Sequence, residues 1–116
     1  MFSFFGRKVQ LLKSQYEAAE RDTREMVKRG QRQYPSWIND PSWQKTLAQS
    51  TFDEVIKKGI SKDDAKIWFS QQETADTIMT MVAQLEKAKL NRFDQISGAM
   101  EFAGKLALEQ IKRERV

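Results

Sequence analysis

MFSFFGRKVQLLKSQYEAAERDTREMVKRG, residues 1–30, carries Phe2, Phe5, Val9, Leu12, Tyr16, Ala19, Thr23 and Met26 at alternating three- and four-residue spacing. That period is one face of an α-helix, and Gly30 continues the stripe. Helices of this length are marginal alone in water, so the stripe predicts burial against other helices, in the same chain or another. The expected helix runs from about residue 3 to 32, because Pro35 disfavours a helical conformation at Tyr34.

Further along, local signals divide the chain into more helices. Pro-Ser-Trp occurs twice, at 35–37 and 41–43, in a loop that ends on Asp40-Pro41, an N-cap followed by proline at the first helical position. The helix that opens there places Trp43, Leu47, Phe52, Val55 and Ile56 on its buried side. Gly59-Ile60-Ser61 then combines a left-handed stop, an apolar contact and a new cap with Asp64 three residues on. The third helix carries Ala65, Trp68 and Phe69. Ser70 with Glu73 forms a second capping box that restarts the chain, the alternative being one helix running through Ser70. Ala75, Ile78, Met79, Val82 and Leu85 make the next stripe, followed by Phe93, Ile96, Met100, Ala103, Leu106 and Ile111. Between Glu86 and Arg92 the seam positions become charged, which predicts a kink or short turn near Asn91. Gly98 and Gly104 suit close helix approach.

The fold class that follows is all-α: a small bundle of four to five helices with a long N-terminal helix and a long C-terminal helix or kinked pair over about 72–113. Residues 1–116 make a single helical domain, since the chain shows no Gly-Ser linker, no strand-like alternation and no repeat of 20–50 residues. At 40% hydrophobic and 31% charged residues it has enough apolar content to fold.

Composition removes most chemistry. There is no cysteine and no histidine, hence no disulfide, no thiol nucleophile and neither of the two commonest zinc ligands. No phosphate loop, nucleophile elbow or calcium loop occurs. Glu73 with Asp76, and Glu17 with Glu20, lie one turn apart, but the helical di-metal pattern needs a Glu-x-x-His pair that this chain cannot supply. The expectation is a non-enzymatic protein with no catalytic residue, metal or cofactor. No apolar run approaches the roughly 20 residues that span a bilayer, and Arg7 and Lys8 follow the apolar start where a secretory signal would have its charge first. A cytoplasmic location is expected on that ground.

The formal charge of +4 resides entirely in residues 1–34, where Arg21, Arg24, Lys28 and Arg32 recur on the side away from the apolar stripe. Their bland account is a solvated face with ion pairs such as Glu17 to Arg21, Glu20 to Arg24 and Glu25 to Arg29. As a functional face, these residues would steer an acidic partner or bind nucleic acid. Trp37 and Trp43 are either core locks for the loop or exposed anchors, and Met81 and Phe69 lie off the main stripes, leaving apolar area for a partner. The favoured function is therefore an adaptor or regulatory protein that binds a protein partner through Phe2, Phe5, Trp37 and Trp43. That partner could be a second copy in an antiparallel or bundle arrangement. A parallel homodimer is disfavoured, because Lys8 would face Lys13 of the other chain. The alternatives are a nucleic-acid-binding module using the basic face and a membrane-surface protein attached through residues 2–13.

Overall fold

A computed structural model describes the backbone of residues 2–114 and the side chains of residues 12–114. The side chains of Phe2, Phe5 and Val9 lie outside the described residues. Five helices are present: α1 (Phe2–Lys28), α2 (Pro41–Lys57), α3 (Lys62–Ser70), α4 (Gln72–Lys87) and α5 (Arg92–Glu114).

Each joint has a local cause. α1 stops at Lys28 rather than continuing to residue 32, because Gly30 takes a positive φ of 75° and closes the end. Gln31 N–H donates to the Met26 carbonyl at 2.9 Å and Gly30 N–H to that of Val27 at 3.0 Å, a Schellman ending. Gly30 thus terminates the stripe that it was expected to extend. Asp40 caps α2 by accepting from Ser42 N–H at 3.0 Å, and Pro41 opens the helix as expected. Gly59 has φ 95°, Ile60 is buried, and the Ser61 hydroxyl accepts from Asp64 N–H at 3.2 Å. The chain does break after α3, yet not through the Ser70–Glu73 box. Ser70 is the last residue of α3 and its hydroxyl donates to the Ile67 carbonyl at 2.6 Å, while an extended Gln71 starts α4 without a side-chain cap. Between α4 and α5 the turn is complete: Lys89 adopts φ 63° and Asn91 Oδ1 accepts from Asp94 N–H at 2.8 Å.

α4 and α5 form the middle of the bundle, with α1 on one side and α2 and α3 on the other. Two apolar clusters follow from this layering. One joins Leu47, Val55, Ala65, Trp68, Ile78, Val82, Ile96 and Ala103 of α2–α5, with Trp37 added from the loop. The other holds α1 through Tyr16, Ala19 and, beside them, Thr23, against Met81, Leu85 and Phe102. Met81 is fully buried there, and Phe69 is half-buried with its ring against Phe52 and Trp68. Met81 therefore supplies none of the free apolar surface expected of it, whereas part of the Phe69 ring stays accessible.

α1 runs parallel to α5. Leu12 lies level with Asp94 and Ser97, Tyr16 with Gly98, Glu20 with Lys105 and Arg24 with Glu109. A Cβ at Gly98 would stand 2.4 Å from Leu85 Cδ1 and 3.4 Å from Tyr16 Cδ2, so this glycine lets α4 and α1 close on α5. Leu85 is 1% exposed, so its side chain would have to give up its packing against the second cluster to make room. Gly98→Ala is therefore expected to destabilise by about 1–3 kcal/mol despite alanine's better helix propensity. Gly104 is different, because the nearest atom to its Cβ would be Lys58 Cε at 3.3 Å, on a flexible chain, with Lys58 Cγ and Glu54 Cγ at ordinary contact distances of 3.6 and 3.9 Å. Gly104→Ala is expected to stabilise by about 0.5–1 kcal/mol. Thermal melts of the two variants check the opposite signs.

Candidate interaction site

The residues singled out in the loop gather where α4 ends and α5 begins. Ser36 donates to Glu86 through its backbone N–H at 2.9 Å and its hydroxyl at 2.7 Å, tying the loop to the last turn of α4. Trp37 is 4% exposed, and its indole N–H donates to Gln95 Oε1 at 2.7 Å, while the Gln95 amide donates to the Leu90 carbonyl at 2.8 Å. Trp37 is thus a core lock rather than a contact residue. A polar indole buried with its partner satisfied fixes the loop to α5.

Trp43 sits differently. Half-buried, it lies 6.1 Å from the Trp37 ring and meets the ring of Phe93 edge-on at 5.5 Å. The Arg92 guanidinium stands 5.3 Å from the Trp43 ring and 4.0 Å from the Asp40 carboxylate. Phe93 itself is 72% exposed, the most exposed of the large apolar side chains described. It was expected on the buried stripe of the last helix. Asn91 resets the helical phase at the α4–α5 turn, which turns Phe93 outward while Ile96 and Ala99 face the core. Apolar periodicity alone could not find it; the signal was the Asn91 cap.

The basic residues do not form one free face. Arg24 donates two hydrogen bonds to Glu109, at 2.8 and 3.2 Å, lies 3.5 Å from Glu20 and covers the Phe102 ring at 5.4 Å. Arg32 lies beyond α1, 3.9 Å from both Glu73 and Asp76. Arg21 and Lys28 are exposed, Arg21 at 4.0 Å from Asp22. Glu25 pairs with Arg29 at 3.2 Å.

Glu20 links α1 to α5. Lys105 donates to it at 2.6 Å and stands over the Tyr16 ring at 4.9 Å, so Lys105, Glu20, Arg24 and Glu109 form one chain of alternating charge. Burial by itself would raise the pKa of Glu20, but the hydrogen bond from Lys105 and the charges of Lys105 and Arg24 hold it below the usual carboxylate value. The bidentate bond to Glu109 raises that of Arg24. Burial, and then the carboxylates of Glu101 and Glu20, push the Tyr16 phenol well above its usual value. Its hydroxyl lies beside Glu20 without a hydrogen bond of good geometry.

A depressed native pKa means that Glu20 stabilises the fold in full above the ordinary value of about 4.5, and that this is lost as pH falls through the lower native value. Glu20→Gln is expected to flatten the dependence of stability on pH between the ordinary value and the lower native one. Urea titrations of both chains across the acid range measure the difference.

One carboxylate of each pair noted in the sequence is occupied: Asp76 accepts from the Tyr34 hydroxyl at 2.5 Å and from the Gln72 amide at 2.8 Å, and Glu20 is held as described. Among the described residues no group of three or more Asp and Glu side chains is placed to hold a metal ion, and no helix is long and apolar enough to cross a membrane. Comparison with models of protein families, with curated proteins and with solved structures finds no match to this chain.

Proposed function

We propose that this chain is a non-enzymatic helical interaction protein that binds a protein partner at the end of the bundle where α5 begins. The observation that carries this reading is convergence. The Trp43–Phe93–Arg92 cluster and the N-terminal turns of α1, which bring Phe2 and Phe5, occupy the same end, because α1 runs parallel to α5. Tryptophan and arginine, here beside the exposed Phe93 ring, are among the side chains that most often dominate binding energy. Trp37 drops out of the contact set as a positioning residue, and Phe93 and Arg92 enter it. The nucleic-acid alternative loses support, since Arg24 and Arg32 face carboxylates and a phosphate would have to displace them.

The test begins with a partner captured by the wild-type chain and then purified. Phe93→Ser and Phe5→Ser are each expected to weaken its binding by about thirtyfold or more, with helical circular dichroism unchanged. Unaltered affinity in both variants would reject the proposed surface.

A further inference from the structure

At the root of the N-terminal extension, α1 and α5 part to leave a groove of about 350 Å³. Its apolar lining comes from Leu12, Leu85 and Leu90, and its carboxylates from Glu17, Asp94 and Glu101. Lys13 and Lys105 also border it, but Lys105 is bonded to Glu20. The Tyr16 side chain, 8% exposed, forms part of the wall, and its hydroxyl has no hydrogen-bond partner among the described residues. The groove therefore suits an apolar segment that carries positive charge.

Such a segment stands beside it. Residues 2–13 contain Phe2, Phe4, Phe5, Val9, Leu11 and Leu12 with Arg7, Lys8 and Lys13, and the first acidic residue of the chain is Glu17. Leu12 is level with Asp94, and α5 starts at Arg92. The ten residues before Leu12, at about 1.5 Å of rise each, thus extend roughly 15 Å, most of it past the start of α5. They cannot reach the groove of their own molecule, because α1 is one unbroken helix from Phe2 to Lys28 and Leu12 to Glu17 of that helix already form one wall.

We infer that the groove is filled by residues 2–13 of a second copy of this chain, laid antiparallel across α1, while the first copy's segment fills the second copy's groove. The surface is self-complementary, as a two-fold contact requires. An overlap centred near Leu12 sets Arg7 and Lys8 of one copy beside Glu17 of the other, and antiparallel packing avoids the Lys8–Lys13 repulsion of a parallel pair. This inference rests on the proposed interaction role and names the partner for the α1 portion of that end.

Sedimentation equilibrium of the full chain tests it, with two charge-reversed variants. Arg7→Glu/Lys8→Glu reverses the segment, and Glu17→Lys/Glu101→Lys reverses the groove rim at two exposed positions. The wild-type chain is expected to dimerise, and each variant alone to dimerise at least about tenfold more weakly. Mixing the two variants is expected to restore the dimer, since each reversed segment then meets a reversed groove. A monomeric wild-type chain overturns the inference, as do variants that dimerise unchanged or a mixture that restores nothing. A chain that stays monomeric and co-sediments with anionic lipid vesicles overturns it in favour of a membrane surface. Retained binding of a purified partner by a monomeric chain would leave the interaction role standing, whereas a dimer with Phe93→Ser and Phe5→Ser both neutral towards such a partner would remove that role alone.

Discussion

Phe102→Ala is expected to destabilise the bundle by about 3–5 kcal/mol. Phe102 is 0% exposed and stands in the cluster where α1, α4 and α5 meet, with Tyr16, Ala19, Met81 and Leu85 around it. The face of its ring also carries the Arg24 guanidinium at 5.4 Å, so truncation removes a cation–π contact as well as apolar burial. Small domains have total stabilities of about 5–15 kcal/mol, which leaves this variant close to unfolding. Urea denaturation reads the effect as a lowered midpoint with the slope unchanged. Phe102→Leu keeps most of the volume and is expected to cost less than half as much. A loss below about 1 kcal/mol for the alanine variant would mean that α1 does not pack on α4 and α5 as described.

Trp37→Ala is expected to cost a comparable amount, about 3–5 kcal/mol, because a ring pair at 4% and intermediate exposure anchors the loop before α2. Its conservative partner separates packing from hydrogen bonding. Trp37→Phe preserves much of the apolar surface but leaves Gln95 Oε1 without its donor at a residue only 3% exposed, for which about 1–3 kcal/mol is expected. Adding Gln95→Leu should recover part of that loss, since an apolar pair has no group left unpaired. A double-mutant cycle on the two positions measures the coupling. Independent effects would place the Trp37 indole in water and undo the placement of the loop.

Helix boundaries were legible wherever the residues that make the boundary lie within four positions of one another. Asp40-Pro41 and Gly59-Ile60-Ser61 carry the whole chemistry of their joints, and both occur where they were expected. Gln71 offers no side-chain cap, so the start of α4 had no local marker and was assigned to Ser70 instead. The end of α4 was legible only as a disturbed stripe, because Lys89 fills the left-handed position that glycine usually marks. Holding a non-glycine residue there costs about 1 kcal/mol and is sustained by the turn around it. Gly30 carries two signals at once: it falls at stripe spacing and within the expected end of the helix, near Gly30 to Tyr34, and its φ of 75° shows that the second governs.

The candidate site was less legible than the helices. Trp43 was named among the contact residues, yet Trp37 proved to be core and Phe93 had been assigned to it. Arg24 pairs with Glu20 one turn away, as its spacing implies, but its shorter bond is to Glu109, 85 residues away. Nothing near Arg24 in the chain announces that partner.

What the amino-acid sequence determined by itself is an all-α chain, the places where most of its helices start and stop, and the absence of thiol and imidazole chemistry. Periodicity and capping act through neighbours one turn apart, and a side chain's chemistry needs no neighbours at all. Tertiary structure alone decided which faces are covered, which cations are paired, and that the N-terminal extension, the acidic groove and the Trp43–Phe93 cluster share one end. Those outcomes depend on the direction and register of α1 against α4 and α5, which are set by groups 58 to 85 positions apart in sequence, such as Thr23 on Met81 of α4 and Glu20 on Lys105 of α5.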